Sequence, residues 1–119
     1  DYLHCTDSDD IYNYDLKTPK GMKLEIKTKK TSMKNRPRGY FECSVCHHNT
    51  RQKCDAYVFV RVSTEIPKAW ICGYKPKKDF MREARYFKKG DRDPSNGYKV
   101  HASCYNLNIS ELDPITDLS

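Results

Sequence analysis

Glu25 and Lys27 stand two apart in a run, Met22 to Lys27, that alternates strictly between apolar Met22, Leu24 and Ile26 and charged Lys23, Glu25 and Lys27. Successive side chains of a β-strand point to opposite faces, so a carboxylate and an ammonium share one face while Ile26 turns into the core between them. Asp15 lies ten positions before Glu25. It belongs to an earlier mixed run, Ile11 to Leu16, and Thr18, Pro19, Lys20 and Gly21 supply a turn between the two segments. A hairpin folded there brings Asp15 beside Glu25. Two hard oxygen donors suit Mg²⁺ or Mn²⁺, ions that keep several of their waters. Such an ion polarises a phosphodiester and activates water, while Lys27 orients the water and offsets charge that grows in the transition state. Asp10 is the fallback for Asp15 but fits the hairpin less well, lying five residues farther from Glu25.

The elements that must position these residues follow from pattern and punctuation. After the strand ending near Lys27, Thr28 to Arg38 reads as a basic loop, with Lys29, Lys30, Lys34, Arg36 and Arg38 and no acidic residue. These five cations are placed to hold nucleic-acid phosphates near the cation. Tyr40 to Cys46 reads as a third strand. Ala56 to Val62, whose apolar core is too continuous for an exposed strand, reads as a central fourth. Between them, His47 to Asp55 has room for a short crossover helix carrying Arg51, Gln52 and Lys53. Gln52 is there a candidate to orient the nucleophile or touch nucleic acid. Ala69 to Gly73 makes a fifth short strand. Lys77 to Lys88 is the best helix candidate, from the i, i+4, i+7 spacing of Phe80, Ala84 and Phe87. Ser103 to Ile109 reads as a last strand. Trp70 and Tyr74 read as core and rim residues, and Lys77, Lys78, Lys88 and Lys89 as a solvated face.

The bulk numbers are compatible with this picture. A chain of 119 residues supports one domain with a modest core. Its formal net charge of +6 draws a polyanion. No apolar run approaches the roughly 20 residues that cross a bilayer, and nothing reads as a signal peptide, so an intracellular protein with no membrane partner is expected. Its six cysteines are accordingly expected to be free or metal-bound rather than paired.

Tyr14-Asp15-Leu16, a turn, and Leu24-Glu25-Ile26-Lys27-Thr28-Lys29 resemble the core of the PD-(D/E)XK nuclease superfamily, which includes restriction enzymes, junction resolvases and phage repair nucleases. More loosely, the run from Gln52 to Val60 followed by Trp70-Ile71-Cys72-Gly73-Tyr74 is similar to small phage-encoded nucleases of this group. The resemblance implies an α/β fold, a restriction-endonuclease-like mixed β-sheet flanked by helices, in one domain over residues 1–119. It implies that Asp15 and Glu25 bind the metal and that Lys27 is catalytic. It further implies a Mg²⁺-dependent or Mn²⁺-dependent DNA endonuclease of phage or bacterial DNA processing, working in the bacterial or infected-host cytoplasm, and it is compatible with a homodimer. The chain departs from the family in two places. Tyr14 stands where a proline is frequent, and only ten irregular residues precede Ile11, so the family's N-terminal helix is missing from this sequence.

Cys43, Cys46, His47, His48 and Cys54 crowd into a dozen positions, and His101 and Cys104 form a second pair far along the chain. Cys-x-x-Cys is a zinc-ligand spacing, so structural Zn²⁺ is an alternative role for this cluster. Against it, Cys43 and Val45 share one strand face and Cys46 the other. The rival reading of the whole chain is a non-catalytic nucleic-acid-binding or interaction module carrying that zinc.

Overall fold

The computed structural model describes residues 12–93 and 97–118, together with the backbone of His4–Cys5. Asp10 and Ile11 lie outside the described residues. In chain order the elements are β1 (His4–Cys5), β2 (Leu16–Lys17), β3 (Lys23–Thr31), β4 (Glu42–Cys46), a 3-10 helix (His47–Arg51), β5 (Ala56–Ser63), β6 (Ala69–Pro76), α1 (Lys77–Glu83), β7 (Arg85–Phe87) and β8 (Cys104–Asn108), followed by 3-10 turns at Ile109–Glu111 and Ile115–Asp117.

The strands form two sheets, one of five strands in the order β1-β2-β3-β5-β6 and one of three in the order β4-β8-β7. The larger sheet is mixed. β3 and β5 run parallel from Leu24 opposite Ala56 to Thr31 opposite Ser63, and the flanking pairs are antiparallel. Parallel neighbours need a long crossover, which here carries β4 and the 3-10 helix.

The pleat sorts the large sheet into two faces. On one, Glu25, Lys27 and Lys29 of β3 stand beside Tyr57, Phe59 and Arg61 of β5. Tyr57 and Phe59 pack with Phe80 of α1 and with Cys43, Val45 and Leu107 of the small sheet in the main core. The Phe59 and Phe80 rings stack with centroids 5.7 Å apart, and Tyr57 meets Phe80 edge-on at 5.3 Å. On the opposite face Leu24, Ala56, Val58 and Tyr74 are partly covered by Ile115 and Leu118 of the C-terminal segment. That segment crosses β6 closely, through paired bonds between the backbones of Tyr74 and Asp113. Gly73 allows the approach: its φ is +145°, and a Cβ there would lie 2.8 Å from the Asp113 carbonyl oxygen.

Several expectations are corrected. The strands expected at Tyr40 to Cys46 and Ser103 to Ile109 do not join the mixed sheet but pair with each other, Glu42 to Cys46 against Asn108 to Cys104. With little helix to cover Tyr57 and Phe59, the alternating Cys43, Val45 and Leu107 do so instead. A mixed sheet flanked by helices is thus only partly right: the protein is α/β, but a second sheet packs on one face of the first. The helix expected at Lys77 to Lys88 stops at Glu83, because Arg85–Phe87 pairs with β8, a long-range contact that overrides the local periodicity. β3 runs on to Thr31, so Lys29 and Lys30 are strand residues on opposite faces rather than loop residues. The first arm of the expected hairpin shrinks to Leu16–Lys17.

Candidate active site

The turn at Thr18 to Gly21 closes as expected. Gly21 has φ +91°, its N–H donates to the Thr18 carbonyl at 2.9 Å, and the Thr18 N–H donates to the Met22 carbonyl at 2.8 Å. With Leu16 opposite Leu24, the next position toward the N-terminus, Asp15, comes level with Glu25. Its N–H donates to the Leu24 carbonyl at 2.8 Å, and its carboxylate Oδ2 accepts the Ile26 N–H at 2.8 Å. Asp15 therefore extends the ladder with its side chain, which fixes the carboxylate beside the strand that carries Glu25.

Glu25, 7% exposed, and Lys27 share the inward face of β3. The Lys27 ammonium donates to Glu25 Oε2 at 3.1 Å and to Gln52 Oε1 at 2.8 Å. Gln52 in turn donates from Nε2 to Glu25 Oε2 at 2.9 Å and to the Tyr12 carbonyl at 2.6 Å. The amide thus uses its acceptor on the lysine and its donors on the glutamate and the backbone, locking all three side chains in one arrangement. Gln52 stands immediately after the 3-10 helix, and the half-buried Lys77 at the start of α1 donates from Nζ to the Gln52 carbonyl at 2.5 Å. The Lys27 ammonium also lies 5.9 Å from the ring centroid of Tyr57.

One oxygen of this network is left over. Glu25 Oε1 is buried with no hydrogen-bond partner. Burial holds the Glu25 carboxyl above its ordinary value; the Gln52 and Lys27 contacts pull it down, and the Asp15 carboxyl beside it adds to the rise. A buried carboxylate oxygen without a partner, next to a second carboxylate, is a costly arrangement that a cation relieves. Among the described residues no group of three or more His, Cys, Asp and Glu side chains is arranged to hold a metal ion. Two carboxylates are nonetheless a sufficient protein contribution for Mg²⁺, which takes its remaining ligands from water and phosphate.

The other sequence-picked residues divide. Lys29, Lys30, Lys34, Arg36 and Arg38 are all exposed, with Lys29 on the same face as Lys27 and Lys30 on the opposite one. Gln52, by contrast, is 5% exposed and belongs to the centre of the site. Lys77 is tied to it rather than solvated, while Lys78, Lys88 and Lys89 are exposed. In the cysteine cluster, Cys46 lies opposite Cys104 across the small sheet, whereas Cys43 and Cys54 are buried in the core. Burial pushes the Cys43 thiol up to about 12 and raises that of Cys54 as well. The contributions of Tyr12 and Lys77 were not foreseen. No local pattern signals the role of Lys77, whose contact with Gln52 follows from the pairing of Pro76 with Ala56.

Comparison with protein-family models gives no match, and comparison with curated proteins gives no significant one. No helix among the described residues is long and apolar enough to cross a membrane.

Proposed function

We propose that this protein is a divalent-metal-dependent nuclease of the PD-(D/E)XK type acting on DNA, with Asp15 and Glu25 as metal ligands and Lys27 as the catalytic lysine. One observation carries the reading: the buried, partnerless Glu25 Oε1 beside a second carboxylate, on the same strand face as a lysine that is already hydrogen-bonded in place. When bound there, Mg²⁺ or Mn²⁺ would supply Lewis acidity toward a phosphodiester. Asp15 and Glu25 present the two carboxylates. Lys27 holds a positive charge at the reacting phosphate and is a donor to the attacking water. Gln52 fixes the direction in which that ammonium points. The exposed cations of Lys34, Arg36 and Arg38, in the connection after β3, supply the sequence-independent grip on the phosphate backbone.

The test is cleavage of a panel of double-stranded, single-stranded, flapped and four-way DNA with Mn²⁺ and with Mg²⁺. Lys27→Ala is expected to lower turnover by about 10²- to 10³-fold while DNA binding persists. Glu25→Ala is expected to abolish metal-dependent cutting. Binding of DNA without cleavage of any substrate by the wild-type protein would replace this reading with that of a non-catalytic binding module.

A further inference from the structure

A cavity of about 210 Å³ lies between the two sheets directly beyond Lys27. Lys27 and Lys29 reach it from the same face of β3, Arg61 from the paired position on β5, and Ser44 from β4 across the gap. Lys27 is already paired with Glu25 at 3.1 Å, which leaves Lys29 and Arg61 in the lining with the Glu42 residue. Among the described residues neither Lys29 nor Arg61 forms an ion pair. Arg61 is 8% exposed and firmly held, its Nη2 donating to the Glu42 carbonyl at 2.6 Å and its guanidinium 5.4 Å from the Phe41 ring centroid. A buried guanidinium with the Lys29 ammonium on the paired position makes the cavity favourable to an entering anion, even with Glu42 in its lining.

The size of the cavity limits that anion. It falls below the roughly 300–1,000 Å³ typical of pockets for drug-sized ligands, so it suits a phosphoryl group better than a whole nucleotide. Its charge limits the anion further. A phosphodiester inside a strand carries one negative charge, whereas a phosphomonoester, with a second ionisation near pH 6, carries nearly two at neutral pH. Arginine offers a planar fork to phosphate oxygens, and lysine adds a point charge. Lys29 sits about 6.6 Å along the strand from Lys27, so the cavity adjoins the carboxylate site without overlapping it.

We propose that this cavity receives the terminal phosphomonoester of a nucleic-acid strand, gripped by Lys29 and Arg61, with Lys27 at the boundary between it and the paired carboxylates. The proposal rests on the nuclease reading and narrows its substrate to strands that carry a phosphorylated end near the site of cleavage.

The test separates the two. Fluorescence anisotropy without divalent cation compares oligonucleotides bearing a 5′-phosphate, a 3′-phosphate or neither. One phosphorylated end is expected to bind at least about tenfold tighter, the loss of a charge-assisted contact being of that order. The preference is lost in Lys29→Ala and restored in Lys29→Arg, and it persists in Lys68→Ala, which removes an exposed lysine of the β5 to β6 turn. Inorganic phosphate is expected to compete with the phosphorylated oligonucleotide alone. Equal binding of all three oligonucleotides, or a preference that Lys29→Ala leaves intact, overturns the proposal even if the protein cuts DNA with Mn²⁺. A Lys29-dependent end preference in a protein that cuts nothing upholds the cavity and removes the nuclease reading.

Discussion

In the proposed metal site, the Glu25 oxygen without a hydrogen-bond partner sets the response to pH and to metal that is expected. A carboxyl whose folded pKa lies above its unfolded one favours the fold when protonated. That contribution is complete below the ordinary value of 4.5 and is lost as pH rises through the folded value. A cation that binds only the ionised pair acts in the opposite sense. Mn²⁺ is therefore expected to leave Tm unchanged below the ordinary carboxylate range and to raise it increasingly toward neutral pH. At a hundredfold excess over its Kd the gain is about 2.7 kcal/mol. Thermal unfolding across that pH range checks this, with Glu25→Gln expected to erase the metal effect. Gln52 acts on both Glu25 and Lys27. Its removal frees Lys27 and Glu25 from a shared partner, and Gln52→Ala is expected to raise the Mn²⁺ needed for half-maximal cleavage by about 10- to 100-fold. The Glu25 and Lys27 face was legible because a period of two over six residues admits one strand reading. The network through Gln52 was not, since its partners lie 25 and 27 positions away and no local pattern encodes them.

Among the elements, β3 and β5 were readable from their own residues, one by alternation and the other by an unbroken apolar run. Their parallel pairing and the separate sheet formed by β4, β7 and β8 were not. An alternating strand announces a buried face without saying which neighbour buries it, and Cys43, Val45 and Leu107 suit either arrangement. Phe87 illustrates the same limit: helical spacing put it on one stripe with Phe80, but pairing with Cys104 took it into β7. The element most sensitive to a single change is β6 at Gly73. Gly73→Ala forces a methyl group within 2.8 Å of the Asp113 carbonyl and demands a positive φ. It is expected to lower stability by about 1–3 kcal/mol, measured by chemical denaturation, and to loosen the C-terminal segment from the sheet.

For the whole molecule, the excess of positive charge was plain from composition, and its distribution is now partly resolved into two groups. Lys34, Arg36 and Arg38 are exposed on the connection after β3, whereas Lys27, Lys29 and Arg61 converge on one cavity. These groups should differ in their response to salt. Neutralising Lys34, Arg36 and Arg38 is expected to flatten the slope of log K against log salt by up to about 0.9 for each residue that touches duplex phosphate, with little effect on turnover of bound DNA. Titrations at several ionic strengths measure the first, and single-turnover kinetics the second.

The parallel register of β3 and β5 also constrains how this protein comes into being. Glu25 meets its strand neighbour Tyr57 only after the intervening chain has been threaded over the sheet, so the pairing closes a long loop before any local gain rewards it. Proteins dominated by such distant pairings fold slowly compared with helical ones of similar size. Asp15 can find Glu25 through a four-residue turn, but Gln52 arrives only with the crossover. Newly synthesised chains would thus bring the carboxylates together early and lock the lysine late, so the assembled network of Glu25, Lys27 and Gln52 waits on completion of the central sheet.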